Sequence, residues 1–159
     1  MHYWIDGYNL LFRLTKDYKT MRQNERKILL ALNASITQLN YSVTVVLDGR
    51  EKDPPEALRR NLDSLALIYT PHNQTADDYI LEAISHSSHP EKETVISSDL
   101  ELLRKAQQRG ARGFTIEKFL SQLIHKKKKK SDKANPEFHE TSANIDRYLK
   151  IFEDRLRED

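Results

Sequence analysis

Apolar runs that end in acid constrain this chain more than any other feature. Tyr3-Trp4-Ile5 stops at Asp6, Val43-Thr44-Val45-Val46-Leu47 stops at Asp48, and Thr94-Val95-Ile96-Ser97-Ser98 stops at Asp99. The unbroken β-branched run at 43–47 reads as a strand covered on both faces, as in a parallel sheet. A further apolar run over 65–69 leads into a turn. Thr75-Ala76-Asp77-Asp78 then opens a helix, with Thr75 as N-cap and Asp78 three residues on. Parallel strands align their carboxyl ends along one edge, where open α/β sheets place their ligands. That edge gathers Asp6, Asp77 and Asp99, with Asp78 and Asp48 near, into one acidic metal site.

The remaining elements come in order along the chain. Ile28, Leu29, Leu32, Ile36 and Leu39 share a face and predict a helix over 23–40, ended by Asn40. Pro54-Pro55 marks a loop, and 56–62 reads as one or two helical turns. A strand over 65–70 precedes the helix at Thr75, which runs to about residue 86 and buries Ile80, Leu81 and Ile84. Next come a strand over 95–97, a helix over 100–109 with Gly110 just past its end, a short strand over 113–116 and a helix over 117–124. This alternation predicts βαβ crossovers and a mainly parallel sheet of about five strands. The expected divisions are an α/β domain over 1–125, a basic linker over 126–140 and an amphipathic C-terminal helix over 141–159. The stripe of that last helix is Ile145, Tyr148, Leu149, Phe152 and Leu156. Docking on the domain is its default role, and contact with a partner the alternative.

At 159 residues, 38% hydrophobic and 31% charged, the chain supports one domain with a real core and a very polar surface. It has no apolar run long enough for a membrane helix and no leader pattern, so the N-terminus is expected to be unprocessed. Cysteine is absent, which removes disulfides, thiolate zinc sites and thiol nucleophiles and fits a reducing cytoplasm. The net charge of +2 is small, but Lys126, Lys127, Lys128, Lys129 and Lys130 form an unbroken basic run. A basic tract and an acidic centre together suit an enzyme that holds a polyanion and uses cations on it.

Carboxylates prefer hard cations, so Mg²⁺ or Mn²⁺ is the expected cofactor. Such an ion clamps both the attacking water and the leaving oxygen of a phosphodiester. Each acid also has a plainer reading. Asp6 and Asp48 precede glycines and suit turns, Asp77 and Asp78 suit a helix N-terminus, and Asp99 suits an N-cap. Their shared edge is what favours the site. Asn9 reads either as a helix-start residue or as a group that holds water or phosphate. The lysine run reads either as a solvated tail or as an arm on phosphates. HExxH, GxSxG, GxGxxG and GxxxxGK[ST] are all missing, and Tyr8 stands where an aspartyl phosphotransferase needs its second acid.

Asp6-Gly7-Tyr8-Asn9, Val45-Val46-Leu47-Asp48-Gly49, Thr75-Ala76-Asp77-Asp78 and Ser97-Ser98-Asp99, in this order, resemble the YacP-like NYN ribonucleases of bacteria, within the PIN-like nuclease group. The resemblance covers about residues 1–124, and the DGYN stretch carries most of its specificity. It implies a three-layer α/β/α sandwich and a divalent-metal-dependent endoribonuclease with products bearing 5′-phosphate and 3′-hydroxyl. Asp6, Asp77 and Asp99 match the family's acidic centre, and Asn9 its motif asparagine. Asp78 falls where relatives carry an acid, and Asp48 matches the acid after the second strand. One branch is similar to ribosome-associated messenger RNA cleavage enzymes, which implies RNA as substrate and admits a ribosomal partner. Leu100-Glu101-Leu102-Leu103 departs from the form of that branch, and the lysine run and last helix lie beyond the resemblance. The competing expectations are a non-catalytic module that binds RNA or the ribosome, and a DNA nuclease or small-molecule phosphatase.

Overall fold

The computed structural model describes residues 1–15, 17–37, 39–49, 58–131 and 150. The elements run β1 (His2–Asp6), α1 (Gly7–Thr15), α2 (Tyr18–Thr37), β2 (Ser42–Leu47), β3 (Leu58–Asn61), β4 (Leu65–Tyr69), α3 (Ala76–His86), a 3₁₀ turn (Pro90–Lys92), β5 (Glu93–Ile96), α4 (Leu100–Gln108), β6 (Arg112–Phe114) and α5 (Ile116–Ser131). These strands form one sheet in the order β3-β4-β2-β1-β5-β6. All pairings are parallel except β3 with β4.

Two cores fix the layers. On one face Tyr3, Ile5, Val43, Val45, Leu65 and Leu67 pack against Leu10 and Leu11 of α1, Ile28, Leu32 and Ile36 of α2, and Phe119 and Leu123 of α5. On the other face Val46, Ile68 and Val95 meet Ile80 and Ile84 of α3 and Leu102, Leu103 and Ala106 of α4. The result is the expected α/β/α sandwich. The run at 43–47 is buried throughout, as its unbroken apolar character predicts.

The chain turns outward in both directions from β1. It passes through α1 and α2 on one face to β2, its neighbour, and later through α3 on the other face to β5, on the opposite flank of β1. The carboxyl ends of β1 and β5 therefore border a topological switch point, the crevice where doubly wound sheets hold ligands.

Local chemistry explains where elements start and stop. The Thr75 side chain accepts the backbone N–H of Asp78 at 3.1 Å, so α3 begins as the sequence predicts. Gly110, with φ 92, comes after α4, and its N–H donates to the Gln107 carbonyl. Asn40, with φ 54, comes after α2, which ends a turn earlier than the spacing predicts and starts earlier too, with buried Met21 extending its stripe.

Three features differ from expectation. Residues 58–61 form an antiparallel edge strand instead of helical turns, because Leu62 N–H bonds to Leu65 O at 2.7 Å and closes a hairpin. Its Arg59 and Arg60 carry no apolar alternation to reveal it, and charge is a usual guard on a sheet edge. No turn separates Asp6 from the first helix, since α1 starts at Gly7. Finally, α5 continues through the lysine run to Ser131, where the sequence suggested a linker. Lysine is a good helix former and its charge complements the negative end of the helix dipole. The rest of the expected linker and the C-terminal stripe lie outside the described residues. Among the described residues, no helix is long and apolar enough to cross a membrane.

The abrupt passage from β1 to α1 depends on Gly7. A Cβ there would run into the buried side chains of Leu47 and Val45. Gly7→Ala is expected to destabilise the fold by about 1–3 kcal/mol, the usual cost of overpacking a tight core. Urea unfolding of the two proteins measures it.

Candidate active site

Asp6 is the last residue of β1 and is only 6% exposed, surrounded by core on a central strand. Its carboxylate is held rather than free. Asn9, one turn into α1, donates its side-chain amide to Asp6 Oδ2 at 2.5 Å and its backbone N–H to the same carboxylate. Ser97 Oγ, fully buried just past β5, donates to Asp6 Oδ2 at 3.3 Å. Burial pushes the Asp6 carboxyl up, the bonds from Asn9 and Ser97 pull it down, and the charge of Asp48 raises it again.

Two helix N-termini complete the edge. Asp99 caps α4, its Oδ1 accepting Glu101 N–H at 2.9 Å and Leu102 N–H at 3.3 Å. Ser97 Oγ accepts Asp99 N–H at 3.0 Å, so one hydroxyl links Asp6 to the loop that carries Asp99. Asp48, past the end of β2, accepts the backbone N–H of Ala76 at 2.6 Å and pins the start of α3. Beside it, Gly49 N–H donates to Thr70 Oγ1 at 3.0 Å, and Thr70 Oγ1 donates to Gln74 O at 2.8 Å.

Asp77, in the first turn of α3, feels the crowding most. Its carboxyl is pushed up to about 7, first by burial, then by the charges of Asp6 and Asp99, a hydrogen bond to the Asp99 side chain, and the charge of Asp48. Asp6, Asp77, Asp99 and Asp48 thus share one electrostatic neighbourhood. Asp78 is exposed, and its charge is not among the main influences on Asp6 or Asp77.

Among the described residues, no three carboxylates already converge as a coordination shell. Asp6 faces Asn9 and Ser97, while Asp99 and Asp48 each spend an oxygen on a helix N–H. The donor set nevertheless fits a small hard dication. It is all oxygen, and it crowds like charges whose repulsion shows in the raised carboxyl of Asp77. Asp6, Asp77 and Asp99 are the residues that would hold it.

The lysine run is placed differently. Helix α5 starts at the acidic edge and runs back along the sheet, bringing Lys126 against Tyr41, just before β2, with its Nζ 4.5 Å from the ring centroid. The run therefore begins at the opposite edge from the acids. A cation linked to the loop that carries Asp99 is Arg13, which sequence reasoning missed. Its Nε donates to Ser98 Oγ at 3.3 Å and it pairs with Glu117 at 2.9 Å. Its signal was the spacing of four from Asn9, which sets both on one side of α1.

Residues 3–157 match the family model of the YacP-like NYN domain. The match extends past residue 124 and takes in the lysine run and most of the C-terminal segment. The fold is similar to the crystal structure of Rae1 (YacP) from Bacillus subtilis, with 20% identity, a TM-score of 0.58, and coverage of 99% of this chain and 95% of that one. A tryptophan-to-leucine mutant of the same protein gives 18% identity and a TM-score of 0.57, over 80% and 77% of the two chains. No curated protein matches the sequence.

The raised carboxyl of Asp77 has a signed consequence for the metal-free protein. Between the ordinary value of 3.8 and about 7 the folded state keeps a proton that the unfolded chain has released. Stability should therefore fall as pH rises through that window. Asp77→Asn removes the group and should flatten the fall, raising the melting temperature at pH 8 by roughly 2–6 °C after allowance for solvent screening. Thermal melts from pH 5 to 8 in chelator measure both proteins.

Proposed function

The chain belongs to the YacP-like NYN domain family, a PIN-like nuclease fold, and from that premise we propose that it is a divalent-metal-dependent endoribonuclease. The observation that carries this reading is the placement of Asp6, Asp77 and Asp99 at the switch point of the sheet, crowded enough to push one carboxyl to about 7. A site that crowds acids this way is destabilised without a cation and poised to take one up.

Mg²⁺ or Mn²⁺ on Asp6, Asp77 and Asp99 would supply Lewis-acid polarisation of the phosphodiester and acidify a water. The chain's own groups do the positioning. Asn9 fixes the Asp6 carboxylate through two N–H bonds, and Ser97 keeps it in register with the Asp99 loop. Asp48 holds the start of α3, and so the place of Asp77, and adds its charge to the centre. Asp78, beside Asp77, acts as an outer group that positions water. The first turns of α3 and α4 open toward the same edge, where their positive ends favour a phosphate. Arg13 lies at this edge through Ser98 and draws the RNA backbone to it.

The proposed substrate is single-stranded RNA, with ribosome-bound messenger RNA as the form the family resemblance suggests and the cytoplasm as the place of action. Lys126, Lys127, Lys128, Lys129 and Lys130 serve as a second, distant attraction for the polyanion, since the run starts at the far edge. The alternative is an RNA- or ribosome-binding protein that does not cut.

Incubation of the purified protein with a labelled single-stranded RNA tests the proposal. Mn²⁺ or Mg²⁺ should give products with 5′-phosphate and 3′-hydroxyl ends, and EDTA should abolish them. Asp6→Asn, Asp77→Asn and Asp99→Asn should each lower the rate by about 10²- to 10³-fold, with Asp78→Asn losing less. Cleavage that survives both chelation and Asp6→Asn would defeat the reading. Tight RNA binding without cleavage would favour the alternative.

A further inference from the structure

Beside the acidic centre lies an open cleft of about 360 Å³, lined by Tyr8, Asn9, Phe12, Met21 and Arg22. Asn9 belongs to both places, since its amide holds Asp6 while its side chain lines the cleft. Asn9 therefore stands between the cleft and Asp6.

Its walls have a particular chemistry. Phe12 lies three positions after Asn9, so the two are neighbours on the outer side of α1. Leu10 and Leu11 point into the core and are fully buried, whereas Phe12 is 51% exposed. Also in its lining, the Arg22 guanidinium lies over the Tyr8 ring, 5.9 Å from its centroid. Two aromatic rings, a planar cation, a thioether and a carboxamide surround one space. Aromatic and guanidinium planes stack on a heterocycle, and a carboxamide both donates to and accepts from its edge. The volume admits one nucleobase with its ribose.

We propose that this cleft takes one unpaired nucleobase of the RNA, that of a nucleotide flanking the phosphate held at Asp6, Asp77 and Asp99. The inference rests on the ribonuclease reading and deepens it, because it says which RNA the site accepts. A paired base is stacked within its helix and cannot enter, so the cleft selects single strands. Phe12 is the stacking platform, and Asn9 couples an occupied cleft to the position of Asp6.

The test reads binding without cleavage. The affinity of the wild-type protein in EDTA is measured by fluorescence anisotropy for a short unstructured oligoribonucleotide and for an abasic ribose-phosphate strand of equal length and charge. The base-bearing strand should bind about 5- to 100-fold tighter, the range one stacked base supports. Phe12→Ala should erase that preference while melting like the wild type, and Phe12→Tyr should retain it. Equal affinity of the wild type for both strands, or an unchanged preference in Phe12→Ala, overturns the proposal. Failure of the ribonuclease reading looks different, as a base preference that persists in a protein with no metal-dependent cleavage of any RNA.

Discussion

A carboxylate buried at the end of a central strand is the constraint on which the rest depends. Asp6 sits where the chain, leaving β1, must choose between the two faces of the sheet. A buried carboxylate is costly without partners, and two neighbours supply them, Asn9 from the helix next in the chain and Ser97 from the strand alongside. The glycine between Asp6 and Asn9 lets α1 begin at once, close against Leu47 and Val45. Asp6, Gly7 and Asn9 thus form one device, in which strand end, tight passage and first helical turn exist to hold one acid in place.

The other acids are tied to the same edge by bonds that serve the fold as well. Asp99 caps α4, and Asp48 binds the first N–H of α3. These anchors bring Asp77 close to Asp6 and Asp99, against their mutual repulsion. Asp99 is the cap its plain reading predicts, Asp48 holds the start of α3 instead of forming a turn, and both add their charge to the neighbourhood of Asp77. A helix cap fixes where a carboxylate sits, and repulsion among carboxylates so fixed is what a dication relieves.

Much of this was legible in the sequence. The apolar runs ending in Asp6, Asp48 and Asp99 carry the parallel sheet and its acidic edge, and Thr75 with Asp78 marks the start of α3 to the residue. What was not legible has physical reasons. The edge strand β3 is short, charged and stabilised by pairing with β4, so no apolar period announces it. The lysine run is helical and begins at the far edge because α5 returns along the sheet, a fact of topology that a charge run does not encode. Ser97 was discernible only as a hydroxyl near Asp99, and its link to Asp6 arises across paired strands distant in sequence. Arg13 and Phe12 lie on the outer side of a helix the pattern did not separate from the opening motif.

The central claim is that Asp6, Asp77 and Asp99 form a divalent-metal centre. The most direct measurement is the anomalous difference map of crystals soaked in Mn²⁺. The account predicts one strong peak bounded by the carboxylates of Asp6, Asp77 and Asp99. A peak elsewhere on the chain with none at this edge, or no peak at saturating Mn²⁺, would contradict it.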